Sequence, residues 1–182
     1  MHSPPILAPV YPLLPFAAGT AASAAVTPHP RTDGSLQLDY ALAATDLLIP
    51  PPAPPTRTDG LWRHTCCELF IATVDAPHYR EFNFSPSGEW TVYDFADYRQ
   101  PLAATLIAAA PESLWQTQDT GYRLQATIPA ALLPPGPWQI GLAVVLEHRA
   151  GELSYWALHH PGEQPDFHRR DAFTLLIDPL QS

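Results

Sequence analysis

Proline punctuates this chain too often for long helices to survive. Twenty-three prolines fall within 182 residues, and each removes a backbone donor and crowds the carbonyl one turn back, so the runs between them are too short for packed helices. Extended structure remains, and the hydrophobic pattern agrees. Leu36, Leu38, Tyr40 and Leu42 alternate with Gln37, Asp39 and Ala41, while Tyr122, Leu124, Ala126 and Ile128 alternate with Arg123, Gln125 and Thr127. A two-residue period sends successive side chains to opposite faces of a strand, so both segments read as strands with one wet face. Trp138 to Leu146 and Phe173 to Ile177 are more continuously apolar, as strands buried on both sides are. Leu153 to Leu158 follows a turn at Arg149-Ala150-Gly151-Glu152. The pattern predicts an all-β chain, an antiparallel β-sandwich of about ten strands with jelly-roll-like, immunoglobulin-like layers and little helix. Ile128 to Leu133, ahead of Pro134-Pro135-Gly136-Pro137, is read as the only short helical turn. Pro50 to Pro55 reads as an exposed polyproline connector between the second strand and the central block.

Composition narrows the function. At 46% hydrophobic residues, the chain is long enough for one well-buried core and short for two, so residues 1–182 are expected to form a single domain. A net charge of −9 with nine arginines scattered along the sequence lacks the electrostatic footprint that nucleic acid or an anionic membrane surface requires. Lysine is absent, which removes Schiff-base chemistry, a lysine general base and a phosphate-loop lysine. The apolar start, Met1 to Ala25, has no basic residues ahead of it and is broken by Pro4, Pro5, Pro9, Pro12 and Pro15, so it is read as neither a secretory signal nor a membrane helix, and a cytoplasmic protein is expected. Cys66 and Cys67 are adjacent and have no third cysteine to pair with, which argues against a disulfide framework.

The chemistry concentrates between Leu61 and Arg99, where tryptophan, tyrosine, phenylalanine and acids crowd together with both cysteines. Strand parity sorts them. In Tyr79 to Ser85, the residues Tyr79, Glu81 and Asn83 share one face and Phe82 and Phe84 the other, which is assigned to the core. On the preceding strand Glu68 shares its face with Cys66 and Phe70, and antiparallel pairing is expected to bring Glu68 beside Glu81 or Asn83. Two carboxyls and an amide would then line one concavity. The turn Ser85 to Gly88 leads into Trp90 to Phe95, and Arg99 beyond it offers a planar fork of donors. An alternative reading ties Glu68 and Glu81 to Arg63, Arg80 or Arg99 as structural ion pairs.

The phrases LWRHTCCELF, YREFNFSPSGEW, YDFADYR and PDFHRRDAF, in that order, resemble the bacterial DOMON-like proteins related to carbohydrate-binding module family 9, over about Leu36 to Ile177. The resemblance implies an antiparallel β-sandwich that binds a small molecule, sugar or haem, without catalysis. In the sugar binders two aromatic rings clamp a terminal sugar, while acids, amides and arginine bond its hydroxyls. Carried onto this chain, the resemblance implies Trp62 as one clamp ring, six residues before Glu68, and Trp156 as the second, with Phe167 as the alternative. The expected ligand set is Trp62, Glu68, Tyr79, Glu81, Asn83, Arg99 and Trp156. Its physics is sound, since a sugar has an apolar face that stacks on indole and hydroxyls that satisfy buried carboxyls.

Rival readings rest on fewer residues. The haem-binding relatives use methionine and histidine, and this chain departs from them: its single methionine is Met1, so haem would need two histidines from His64, His148, His159, His160 and His168. His64 to Cys67, with His78 or His168, resembles a transition-metal site but lacks the paired spacing of one. Glu68 and Glu81 as an acid and base would make a glycoside-acting enzyme. A further class is a sandwich whose aromatic face receives a peptide or another subunit.

Overall fold

The computed structural model describes residues 8–19, 21–103 and 107–179. Pro4, Pro5 and Met1 lie outside the described residues. Twelve strands account for nearly all regular structure: β1 (Tyr11–Pro15), β2 (Ser23–Pro30), β3 (Leu36–Ala43), β4 (Cys66–Thr73), β5 (Tyr79–Phe84), β6 (Trp90–Asp97), β7 (Gln100–Pro101), β8 (Glu112–Gln118), β9 (Gly121–Ile128), β10 (Trp138–Glu147), β11 (Leu153–Ala157) and β12 (Leu175–Ile177). All pairings between strands are antiparallel, in the order β7-β6-β5-β4-β10-β11-β1-β2-β3-β9-β8, with β12 beside β10.

One continuous ladder becomes two layers because β1 is shared between them. Leu14 and Pro15 pair with β11, whereas Tyr11 to Leu13 pair with β2. The first layer is β2-β3-β9-β8 and the second β7-β6-β5-β4-β10-β11, and the core lies between them. Leu36, Leu38, Tyr40 and Leu42 of β3 and Leu124, Ala126 and Ile128 of β9 meet Cys67, Leu69 and Ile71 of β4, Phe82 and Phe84 of β5 and Leu142, Val144 and Leu146 of β10. The Tyr40 hydroxyl crosses the gap and donates to the Glu68 carbonyl at 3.0 Å. Phe82 and Phe84 stand on the core side, as their parity requires.

Among the described residues helix is confined to three 3-10 turns, Leu61–Arg63, Ala130–Leu132 and Arg170–Ala172. The turn within Ile128 to Leu133 is therefore accompanied by two others that carry no helical period. The polyproline run is irregular and mostly exposed, held where the Ala53 N–H donates to the Ser87 carbonyl at 2.8 Å. Its partner strand in sequence is the third, since β1 and β2 both precede β3. No helix among the described residues is long and apolar enough to cross a membrane.

The outer face of the second layer is covered in part. After β11 the chain runs back over the sheet as a strap from Leu158 to Phe173. Phe173 drops against β10 at Gly141, where an added Cβ would come within 2.8 Å of its ring. There it joins Phe70, Tyr79 and Phe95 in a second apolar cluster, with Tyr79 stacked on Phe95 at 4.8 Å. Burial of such rings stabilises the fold by about 1.5–3 kcal/mol each. Asp166 fastens the strap to the β6–β7 turn by accepting from Tyr98 and Arg99 at 2.5 and 2.9 Å.

Candidate functional site

Where the strap does not reach, the outer face of the second layer is open, and a pocket of about 610 Å³ lies on it. Glu68 and Phe70 come from β4, Glu81 from β5, Tyr93 and Phe95 from β6, and Tyr155 from β11. These are the residues that alternation turns away from the core. Trp62 and Arg63 line it from the 3-10 turn, and Phe167 and His168 line it from the strap. The turn is set by Gly60 at φ 83 and anchored by buried Leu61, which leaves Trp62 41% exposed at the mouth. Its indole meets the Tyr93 ring edge-on at 5.7 Å, and Tyr93 is held by a hydroxyl bond to Asp59 at 2.8 Å.

Pairing register places Glu68 directly opposite Asn83, and Glu81 opposite Tyr93. Glu68 is 2% exposed and its Oε1 has no hydrogen-bond partner. Burial and then the nearby Glu81 charge push the Glu68 carboxyl well above its ordinary pKa. Glu81 is 5% exposed and accepts from Asn83 Nδ2 at 2.7 Å. Burial raises Glu81 to about 7, against the opposing effects of Asn83 and Arg99. Asn83 is fully buried behind the acids, and its Oδ1 receives the Cys66 thiol at 3.6 Å.

A chain of donors fixes the remaining polar groups. The Arg99 backbone N–H points at the Tyr79 hydroxyl at 3.3 Å, and that hydroxyl lies 2.8 Å from His168 Nδ1. Burial, and after it the charge of Arg99, lower His168 to about 4, so its imidazole is neutral near pH 7. With Tyr79 donating to Nδ1, the remaining ring proton is assigned to Nε2. That nitrogen faces Glu81 Oε2 at 3.7 Å. Neither acid is consumed by arginine: Arg80 pairs with Asp94 and Arg99 with Asp166.

Of the residues anticipated from sequence, Trp62, Glu68, Glu81 and Arg99 line this pocket. Tyr79 and Asn83 stand behind the wall and bond the groups that do. Trp156 is elsewhere, and this corrects the expected second clamp ring. The β10–β11 register sets Trp156 against Val144, on the core side, and Tyr155 against Val145, on the pocket side. Phe167, Tyr93, Phe95 and Tyr155 supply the aromatic wall instead. Parity could have found Tyr93 and Phe95, whereas His168 sits in an irregular strap with no period to betray it. His168 is the one histidine on the pocket wall among the described residues, so a bis-histidine haem lacks a second ligand there. Among the described residues no three His, Cys, Asp or Glu side chains converge as a metal cage.

No family model matches the sequence, and no curated protein matches it. Solved structures match in shape. A protein of Bacteroides uniformis ATCC 8492 provisionally assigned to carbohydrate binding superposes with a TM-score of 0.66 at 13% identity, covering 92% of this chain and 84% of its own. A carbohydrate-binding module of family 9 from Caldicellulosiruptor kristjanssonii in complex with cellotriose gives 0.57 at 10% identity, covering 83% of this chain and 72% of its own. A family 9 module from the same organism in complex with glucose gives 0.53 at 11%, with coverages of 78% and 69%. At these identities the likeness is one of architecture, and the chain has the β-sandwich fold of family 9 carbohydrate-binding modules.

Proposed function

We propose that the pocket on the outer face of the second layer binds a carbohydrate without transforming it. The observation that carries this reading is Glu68, a buried carboxyl with an unpartnered oxygen in a pocket walled by aromatic rings. A buried polar atom left unsatisfied costs about 1–3 kcal/mol, and a ligand hydroxyl removes that cost. Trp62 from the 3-10 turn and Phe167 from the strap then take the apolar faces of the sugar, while Glu81 and Arg99 bond its edge. The glucose and cellotriose held by the structural neighbours support the same ligand class.

Tryptophan fluorescence and calorimetry with glucose, cellobiose, xylose oligomers and cell-wall sugars test it. Saturable binding is expected, weakened at least about tenfold by Glu68→Gln and by Trp62→Ala. A flat response to every sugar sinks the reading. Sugar release that vanishes in Glu68→Gln while binding persists would instead make Glu68 and Glu81 the acid and base of a hydrolase, consistent with two carboxyls whose neighbourhoods push their titrations upward.

A further inference from the structure

A second hollow, of about 750 Å³, has no part in the Glu68 pocket's acid pair, and Phe16, Ala44, Asp46, His148 and Ser154 are among its walls. Three of these residues form a relay. His148 Nδ1 lies 3.0 Å from Asp46 Oδ2, and His148 Nε2 lies 2.9 Å from the Ser154 hydroxyl. A carboxylate can only accept, so the proton of the neutral imidazole is assigned to Nδ1, and Nε2 turns a lone pair to the Ser154 O–H. Trp156 Nε1, a donor only, gives its N–H to the same Ser154 oxygen at 3.1 Å. Ser154 therefore accepts from the indole and donates to the imidazole. Carboxylate to imidazole to hydroxyl is the connectivity of an activated serine, which is recognised by geometry and roles rather than by order in the chain.

Local structure brings the three together. His148 and Ser154 flank the turn between β10 and β11, where Glu147 pairs with Leu153 and the His148 N–H donates to the Glu152 carbonyl at 2.9 Å. Asp46 arrives from the segment after β3, next to Leu47, which bridges to His148. The backbone already fastens that segment: the Leu48 N–H donates to the Glu147 carbonyl and the Arg149 N–H to the Asp46 carbonyl, both at 2.8 Å. An Asp46 side chain that is 63% exposed adds little to this attachment by pairing. What the relay does fix is the imidazole, whose side chain is 14% exposed and is held at both nitrogens in one orientation, as a general base must be. The hollow also selects its occupant. Phe16, Ala22, Ala43 and Ala44 give it an apolar wall, Asp46 and Glu152 are its acids, and among the described residues no arginine lines it. An anionic molecule finds no counter-charge there, and an uncharged one with a short apolar group fits its size and character.

We infer that Ser154, His148 and Asp46 form a catalytic triad that hydrolyses a small uncharged carboxylic ester in this hollow. Ser154 Oγ adds to the ester carbonyl carbon as its proton passes to His148 Nε2. The tetrahedral intermediate then collapses, the bond from carbon to the alcohol oxygen breaks, and the alcohol leaves with that proton. Water attacks the acyl-serine, giving a proton to His148 Nε2, and the carboxylic acid departs as Ser154 Oγ takes the proton back. Asp46 holds the imidazole in place and offsets the charge of the imidazolium. Thr45 and Thr120 line the same hollow and supply hydroxyl donors for the carbonyl oxygen.

Two measurements on the full chain test the triad. The first is turnover of para-nitrophenyl acetate and para-nitrophenyl butyrate. The second is mass-spectrometric mapping of the adduct left by a fluorophosphonate, which bonds its phosphorus to an activated serine oxygen as fluoride leaves. Steady turnover and an adduct on Ser154 are expected. Ser154→Ala and His148→Gln should each lower turnover by about a thousandfold or more, and Asp46→Asn by about a hundredfold or more, with melting temperatures checked to confirm folding. The adduct is read on the unaltered protein, so the test stands even where a variant fails to fold. Absence of either the turnover or the Ser154 adduct overturns the triad, and so does turnover that survives in a folded Ser154→Ala protein.

Discussion

The strands β4, β5 and β10 present two faces made by alternate residues of the same chain, and the two are built on opposite principles. Inward stand Leu69, Ile71, Phe82, Phe84, Leu142 and Val144, all apolar and all buried. Outward stand Glu68, Glu81 and Asn83, equally buried but polar. The inner face needs nothing beyond close packing. The outer face is covered only in part by the strap, and its polar groups are only partly paired, with Asn83 on Glu81, Tyr79 on His168, and Glu68 Oε1 on nothing. Burial alone therefore does not separate core from site in this molecule. The separation lies in whether buried groups are complete within the protein or wait for an outside partner.

That contrast can be broken first on its inner side. Phe82→Ala should destabilise the fold by about 3–5 kcal/mol, because the sandwich cannot close over the space left by a ring between two layers, and urea denaturation measures it. A loss comparable to that of an exposed position would mean the inner face is not the core.

On the outer side, pH gives the next effect. An acid whose folded pKa is raised holds its proton more firmly in the folded state, so its contribution is full in acid and is lost as pH rises through the folded value. Glu68 and Glu81 both act this way. His168, lowered from 6.5 to about 4, acts in the opposite direction, because between those values the unfolded chain binds the extra proton and stability gains as pH rises. Two acids thus oppose one histidine. Stability of the ligand-free protein should fall as pH rises toward neutrality. His168→Gln should steepen the fall, and Glu81→Gln should flatten it. A slope unmoved by either variant would show that these groups do not titrate as their burial requires.

Glu68→Leu should raise stability by about 1–3 kcal/mol in denaturant while abolishing sugar binding, since it replaces an unsatisfied buried carboxyl by a side chain of similar volume. The Tyr40 bond survives the change because it ends on the Glu68 carbonyl. The smallest effect belongs to Trp62→Ala, whose half-exposed indole should alter stability by less than about 0.5 kcal/mol and reveal itself only in the ligand titration. A large loss of stability in Trp62→Ala would move that ring from the site to the scaffold.

Where the chain alternates regularly, the structure was legible from residues alone. The strands at Leu36–Ala43 and Gly121–Ile128 have one face in the core and one outside, so composition carries their period. β1 and β2 escaped because Pro12, Pro15, Pro28 and Pro30 argue against strands. β2 tolerates its prolines because β1 pairs only as far as Val26, leaving the outer edge of Pro28 and Pro30 without a neighbouring ladder. In the site, Glu68, Glu81 and Asn83 followed from parity because Phe82 and Phe84 mark the inner side. Trp156 was misplaced because β11 is five residues long with adjacent Tyr155 and Trp156, and only its register with β10 tells which ring turns inward. His168 depends on a long-range packing of the strap that no local pattern encodes.

β10 stands at the centre of the second layer, hydrogen-bonded to β4 on one side and to β11 and β12 on the other. Yet it begins at Trp138, about forty residues after β6 has finished at Asp97. During synthesis the hairpins of β4, β5 and β6 must therefore emerge with the β4 edge bare and its donors unclaimed, a surface open to pairing with a neighbouring nascent chain. The site face is exposed for longer still, because the strap that covers it follows β11. A fragment ending before Trp138 should be insoluble, and the yield of folded protein should depend more on how quickly the last quarter of the chain arrives than on the stability of the finished molecule.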